Sequence, residues 1–122
     1  MYKISEEATL AFENARLNTS SLINSNPEEV IFTSGTTRSI NMLSNILSRN
    51  YLRKDDEILV SEMEHHSNLI PWQIISKLHG YKLKYVRLKN GSFDLSDVEK
   101  LITERTKLIA ITHISNVLGT IN

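Results

Sequence analysis

The sequence predicts an α/β fold of three layers, in which a mostly parallel sheet carries helices on both faces. Amphipathic helical patterns alternate with short apolar runs along the chain, and this alternation is typical of parallel sheets whose strands are joined by helices. The apolar runs, such as residues 58–60 and 108–111, are continuous. Strands covered by helices on both faces have this composition, whereas half-exposed strands alternate apolar and polar residues.

The first predicted helix runs from Ser5 to about Asn24. Ser5 is a candidate N-cap, and the two acidic residues that follow it suit the positive end of a helix dipole. Pro27 prevents continuation of the helix, and the apolar run Val30–Thr33 predicts a buried strand. The residues that share one apolar face of this helix are Ala8, Phe12, Ala15 and Leu22.

The rest of the chain predicts three helices, each followed by a strand. The helices begin near Thr36 or Thr37, near Asn68 or Pro71, and at Ser96, where the pattern Ser-Asp-Val-Glu is a capping box. Their expected core-facing residues include Ile40, Leu43, Leu47, Trp72, Ile75 and Leu78.

The strands that follow are predicted at residues 57–60, 82–88 and 107–112, which with residues 30–33 makes four strands.

Two glycines mark the ends of predicted elements. Gly80 predicts the end of the helix that begins near Asn68 or Pro71, because a glycine tolerates the left-handed conformation of a C-cap. Asn90-Gly91 predicts a tight turn after the strand at 82–88.

The composition is that of an ordinary globular protein, and it excludes several classes of function. Fourteen basic and fourteen acidic residues cancel, so no net field favours nucleic acid or an anionic membrane as a partner. Cysteine is absent, which excludes a disulfide framework, a thiolate metal site or a cysteine nucleophile within these residues. No apolar run is long enough for a signal-peptide core or a membrane span, and we expect a cytoplasmic location.

Four loops are predicted to lie at one edge of the sheet, because ligands in open α/β sheets bind outside the carboxyl ends of the strands. Three of the four are rich in hydroxyl, imidazole or amide groups. The loops comprise residues 34–37, 61–67, 89–93 and 113–116.

The first of these loops, Ser34-Gly35-Thr36-Thr37, is a candidate anion site. Gly35 allows the backbone to turn closely, and the N–H groups that follow it lie at a helix N-terminus, where a phosphate binds well. The loop is neither a Walker A motif nor a G-x-G-x-x-G motif. A helix end capped by its own threonines, without a ligand, is the alternative interpretation.

Two further loops offer imidazole and amide groups. His65 and His66 follow the strand at 57–60, but no third ligand stands at a motif spacing, so we predict no metal and a structural role is the simpler interpretation. Asn116 lies beyond the last strand and would present an amide to the same edge. The alternative for Asn116 is a turn that leads into Gly119.

Taken together, three blocks of sequence resemble the pyridoxal phosphate (PLP)-dependent class V aminotransferase family. Residues 28–37 (EEVIFTSGTT) and Ile40-Asn41 resemble the family as a whole. Residues 61–68 (SEMEHHSN), followed by Pro71-Trp72-Gln73, resemble its narrower branch of cysteine desulfurases and selenocysteine lyases, which supply iron–sulfur cluster assembly. Residues 110–120 (AITHISNVLGT) resemble the next block of that branch.

The resemblance implies pyridoxal 5'-phosphate as cofactor and roles for five residues. Gly35, Thr36 and Thr37 would hold the cofactor phosphate, with Thr37 as the main side-chain contact. His65 would stack on the pyridine ring and help to move protons at the substrate. Asn116 would reach the ring oxygen of the cofactor or the carboxylate of the substrate. A phosphate suits a helix N-terminus and a flat ring suits an imidazole face, so the residue chemistry agrees with these roles.

The resemblance also implies a reaction in which L-cysteine, or L-selenocysteine, gives L-alanine and persulfide sulfur for an acceptor protein. The family's His-Lys dipeptide, its aspartate for the pyridine nitrogen and its persulfide-forming cysteine are absent from residues 1–122. We therefore expect residues 1–122 to be a partial large domain of PLP fold type I, inactive alone, without the N-terminal strand segment, the lysine region and the small domain. Arg38 departs from the family, which often has an acidic or neutral residue there; it would add attraction for phosphate or face solvent.

Three interpretations of the chain remain open at this point: a fragment of an enzyme, one half of a split enzyme, and a non-catalytic remnant that acts as a binding or oligomerisation module. Another class V aminotransferase and an unrelated phosphate-binding module are the alternatives to the desulfurase assignment. Exposed apolar faces of a small parallel sheet predict self-association.

Overall fold

The computed structural model describes residues 2–122 and contains two compact units, which divide after Thr33. The first unit consists of helix α1 (Tyr2–Ile23) and a single 3₁₀ turn (Pro27–Glu29). The helix begins before Ser5, so the predicted N-cap at Ser5 is wrong. The residues of the predicted apolar face, Ala8, Phe12, Ala15 and Leu22, all lie on this helix and are exposed.

The predicted strand at residues 30–33 does not form. The segment contacts α1 instead: the Arg16 guanidinium donates a hydrogen bond to the carbonyl oxygen of Val30 and lies over the rings of Phe12 and Phe32, 5.1 and 5.5 Å from their centroids. The two rings also pack edge to face, with centroids 5.1 Å apart. Val30 is buried, whereas Ile31 and Phe32 remain exposed.

The second unit, residues 34–122, contains a parallel sheet of three strands: β1 (Glu57–Ser61), β2 (Lys82–Val86) and β3 (Thr106–Ala110). The order across the sheet is β2-β1-β3. All five residues of β1 are buried, as expected for a central strand with a continuous apolar composition. Within residues 2–122 the sheet thus has three strands, one fewer than the sequence predicts.

Three helices cover the two faces of this sheet. Helices α2 (Thr36–Asn50) and α3 (Ile70–His79) pack on one face, against Ile58 and Val60. Helix α4 (Leu95–Leu101) packs on the other face, against Leu59. Successive side chains of a strand point to opposite faces, so β1 supplies both cores. The predicted three-layer arrangement with a parallel sheet is confirmed.

Several predictions at the element ends are confirmed and others are corrected. Gly80 adopts a left-handed conformation, and its N–H donates to the carbonyl of Ser76, as expected for a C-cap. The N-cap of α4 is Asp94, whose carboxylate accepts from the N–H of Ser96, so the predicted N-cap at Ser96 is wrong. The two residues of the Asn90-Gly91 turn both have positive φ, as a tight hairpin requires.

Two predicted core residues, Leu43 and Leu78, are instead exposed. Each lies at the margin of its helix's apolar stripe, whereas Trp72 and Ile75 on α3 are buried at its centre. None of the helices described between residues 2 and 122 is long and apolar enough to cross a membrane.

Candidate functional site

A cavity of about 960 Å³ lies at the carboxyl edge of the sheet in the second unit. Three of the four loops predicted for this edge line it; the loop at residues 89–93 does not, and Gly91 there accepts a hydrogen bond from Thr120. A volume of this size accommodates a cofactor together with a small substrate. The lining residues are Ser34, Gly35, Thr36, Thr37, Arg38, Asn41, Asn45, His65, Ser67, Thr112, Ile114 and Asn116.

The N-terminus of α2 forms one wall of the cavity. Its N-cap is Gly35, with φ 133° and ψ 173°, so no side chain caps this end of the helix. The first N–H groups of a helix lack acceptors within the helix, and the dipole adds positive potential there. Thr36 and Thr37 place hydroxyls beside these N–H groups, and Arg38 adds a positive charge. This wall suits an anion with several oxygens.

His65 faces the N-terminus of α2 from the loop after β1 and is the N-cap of a 3₁₀ turn (His66–Asn68). Its Nδ1 accepts from the backbone N–H of Ser67 at 3.1 Å and lies 2.8 Å from the Ser67 hydroxyl. Because a backbone N–H can only donate, Nδ1 is the acceptor, and in the neutral form of the ring the proton lies on Nε2. His65 thus offers a flat face and one N–H donor to a ligand.

Asn116 lies in a loop that closes on itself after β3. Ile114 pairs with Ile121 in an antiparallel bridge, and the N–H of Ser115 donates to the carbonyl of Thr120 at 2.9 Å. Asn116 is exposed, and its amide lines the cavity. The structure therefore brings together all five residues proposed from the sequence: Gly35, Thr36, Thr37, His65 and Asn116.

The buried carboxylate of Glu64 was not singled out from the sequence. Its Oε1 accepts from the Ser61 hydroxyl at 2.5 Å and from the backbone N–H of Thr112 at 2.8 Å. Its Oε2 accepts from the side-chain amide of Asn68 at 2.7 Å. The sequence signal that could have found it is an acidic residue directly beside His65, four positions before an asparagine.

The charge of the lining favours an anionic ligand. Arg38 is the one charged residue among the described residues that line the cavity. Within residues 2–122, no group of three or more His, Cys, Asp or Glu side chains is placed to hold a metal ion. A helix N-terminus, an arginine, an imidazole face and three amides together fit a phosphorylated aromatic ring with polar substituents.

Several cysteine desulfurases are similar to this chain in sequence and in fold. A cysteine desulfurase from Pectobacterium atrosepticum is 40% identical over 124 residues, which cover 100% of this chain and 30% of that protein. A probable cysteine desulfurase from Halalkalibacterium halodurans is 50% identical over 117 residues, covering 94% of this chain and 29% of the relative. The apo structure of a cysteine desulfurase from Thermococcus onnurineus NA1 superimposes with a TM-score of 0.89 and 37% identity, over 96% of this chain and 29% of that one.

The chain thus spans about 30% of the length of the curated relatives it matches. The model of the family described as "Aminotransferase class-V" matches residues 1–122, which is every residue of the sequence. The chain belongs to the class-V aminotransferase family.

Proposed function

We propose that this chain forms the part of a PLP-dependent cysteine desulfurase that receives the cofactor phosphate and one face of the cofactor ring. The observation that carries the proposal is the convergence of Gly35, Thr36, Thr37, His65 and Asn116 on one cavity at the carboxyl edge of a parallel sheet. In this proposal residues 1–122 are a partial large domain of PLP fold type I. The cysteine desulfurases among the relatives support this activity over that of another class V aminotransferase.

The N-terminus of α2 would bind the phosphate. The N–H groups after Gly35 donate to phosphate oxygens, the Thr37 hydroxyl adds a side-chain donor, and Arg38 contributes charge. A dianion at this position gains from both the unpaired N–H groups and the helix dipole.

His65 and Asn116 would hold the ring and the substrate. The ring of His65 stacks on the pyridine ring, and its Nε2–H lies where it can donate a hydrogen bond or a proton to the substrate. The Asn116 amide orients the ring oxygen of the cofactor or the carboxylate of the substrate without adding charge. When bound, pyridoxal 5'-phosphate supplies an electron sink that weakens bonds of the amino acid attached to it.

The substrate in this proposal is L-cysteine or L-selenocysteine, the products are L-alanine and a persulfide, and an acceptor protein takes the sulfur for iron–sulfur cluster assembly in the cytoplasm. A persulfide requires a cysteine thiol, and residues 1–122 contain no cysteine. We therefore expect these residues alone to bind the cofactor without releasing sulfur.

A PLP titration tests the proposal, followed by the visible absorption of the cofactor and the fluorescence of Trp72. We expect saturable binding that inorganic phosphate competes away, and weaker binding of pyridoxal, which lacks the phosphate. His65→Ala should weaken PLP binding about three- to tenfold, the range of one aromatic stacking contact.

His66→Ala is the matched control, because His66 is the neighbouring imidazole and does not line the main cavity. It should leave PLP affinity unchanged. If neither competing phosphate nor the His65→Ala substitution changes PLP affinity, the cofactor binds elsewhere and the proposal is contradicted.

A further inference from the structure

We infer that Glu64 is a positioning residue, which fixes His65 and the segment carrying Asn116 in the lining of the cavity. The inference rests on the proposed function insofar as this cavity holds a phosphorylated cofactor. Glu64 is buried, with 8% of its surface exposed, and it does not line the cavity itself. It acts through the residues that it holds.

The first oxygen of Glu64 joins the ends of two strands. Oε1 accepts from the hydroxyl of Ser61, the last residue of β1, at 2.5 Å. The same oxygen accepts from the backbone N–H of Thr112, two residues beyond β3, at 2.8 Å. Thr112 in turn holds the Asn116 segment, because its hydroxyl donates to the carbonyl of Ile114 at 3.0 Å.

The second oxygen joins the His65 loop to α3. Oε2 accepts from the side-chain amide of Asn68 at 2.7 Å, and the Oδ1 of Asn68 accepts from the indole N–H of Trp72 at 3.0 Å. Trp72 is buried in the core under α2 and α3. The 3₁₀ turn that His65 caps is therefore attached at its far end, through Asn68, to both Glu64 and the core.

The arrangement requires a carboxylate. Ser61, Thr112 and Asn68 all donate to Glu64, and a glutamine in its place would present an NH₂ group to one of these donors. If Asn68 rotated to accept from that group, its own NH₂ would face the indole N–H of Trp72. An amide at position 64 thus leaves at least one donor unsatisfied, and a buried donor without an acceptor is costly.

Hydrogen exchange and chemical shifts measured by NMR test the inference without any ligand. In Glu64→Gln, we expect the backbone N–H of Thr112 or the indole N–H of Trp72 to exchange about tenfold faster than in the unmodified chain, which corresponds to the loss of one buried hydrogen bond. We also expect the ring signals of His65 and the side-chain amide signals of Asn116 to shift, although neither side chain is among the hydrogen-bond partners of the Glu64 carboxylate.

Two further variants make the result specific. Glu62→Gln is the matched control, since Glu62 is an exposed acid of the same loop whose carboxylate accepts from the N–H of Leu88; it should leave the four signals unchanged. Asn68→Ala removes only the second branch, so it should alter the signals of Trp72 and His65 and spare that of Thr112. If Glu64→Gln does not fold, Asn68→Ala still tests whether the hydrogen bonds of Glu64 hold His65 in place.

PLP affinity completes the test and separates the two proposals. If Glu64→Gln shifts His65 and Asn116 and lowers PLP affinity about tenfold, while Glu62→Gln does neither, the positioning role is supported. Unshifted His65 and Asn116 signals overturn the inference, and so does unchanged affinity in a chain that binds PLP. If the unmodified chain binds no PLP, the proposed function fails, while the NMR signals still decide what Glu64 holds in place.

Discussion

At the scale of single residues, Gly35 sets the shape of the proposed phosphate wall. Its φ of 133° combined with a ψ of 173° lies in a region that is essentially restricted to glycine. A Cβ built on Gly35 would meet no atom within 4 Å. Backbone conformation, and not crowding, is therefore the reason for glycine at this position.

Gly35→Ala should consequently lower PLP and phosphate affinity, because relief of about 1–3 kcal/mol of backbone strain would turn the first N–H groups of α2 away from the anion. Titration calorimetry with inorganic phosphate and with PLP measures the change. Gly119→Ala is the matched control, since Gly119 also has positive φ and open space around its Cα but lies outside the cavity lining. Equal affinity losses in the two variants would contradict the role of the Gly35 turn.

Glu57 is the first residue of β1 and lies at the end of the strand away from the cavity. Its negative charge stabilises the folded state. Lys84 donates to its carboxylate at 2.7 Å and the Thr103 hydroxyl donates at 2.6 Å. Thr106 adds a third donor at 3.2 Å. These donors, led by Lys84, lower the pKa of Glu57 from an ordinary value of 4.5 to about 2, against the opposing effect of burial.

This lowered pKa predicts an acid-sensitive contribution to stability. Because the folded-state pKa is below the unfolded one, the contribution is complete above about pH 4.5 and is lost as the pH falls towards 2. Urea unfolding from neutral pH into this window should show a smaller fall in midpoint for Glu57→Gln than for the unmodified chain. Glu104→Gln, a change at an exposed acid near the same strand end, should follow the unmodified chain. If the urea midpoint falls equally with pH in all three proteins, Glu57 is not the source of the acid-sensitive stability.

At the scale of elements, two residues compete for the N-cap of α4, Asp94 and Ser96. The sequence pattern favours Ser96, whereas the carboxylate of Asp94 accepts from the N–H of Ser96 at 2.8 Å and has the extended backbone of an N-cap. That hydrogen bond lowers the pKa of Asp94. Asp94→Ala should therefore lower the urea midpoint at neutral pH more than Ser96→Ala does. The reverse order would restore Ser96 as the cap.

The elements of the sheet unit could be predicted from sequence because their local signals agree with their packing. The centre of β1, residues 58–60, is a continuous apolar run, and all of β1 is buried. Gly80 ends α3 through its left-handed conformation. The predicted strand at 30–33 failed for a different reason. A short apolar run does not reveal whether a strand or a helix will cover it, and here Arg16 and Phe12 of α1 contact it.

The candidate site also has features that could be predicted from the sequence and one that could not. The convergence of His65 and Asn116 could be predicted, because the carboxyl ends of the parallel strands β1 and β3 meet at one edge. The sequence predicts Gly35 there from a strand at residues 30–33 that does not form, and its place in the cavity lining depends instead on the packing of α2 against the sheet. The role of Glu64 could not, because it depends on a backbone N–H at Thr112, 48 positions away. No residue type marks a backbone donor, so only the register of β1 against β3 reveals this contact.

At the scale of the whole molecule, four exposed apolar side chains lie within one short loop, residues 114–121. Val117 is 81% exposed and Ile121 is 71% exposed, and the bridge between Ile114 and Ile121 holds the loop in a fixed form. Leu118 is also exposed. Exposed apolar side chains grouped along the chain in this way favour a contact surface for another protein or another copy.

We therefore predict that the chain associates with itself and that this loop contributes to the contact. In sedimentation velocity, the unmodified chain should show a sedimentation coefficient that rises with concentration. The double variant Val117→Ser/Ile121→Ser should weaken association about tenfold or more, since burying one aliphatic side chain contributes about 1.5–3 kcal/mol. Leu78→Ser, which removes a similarly exposed leucine from α3, is the control and should leave association unchanged. A concentration-independent monomer would refute self-association, whereas association that survives the double variant would exclude this loop as the contact.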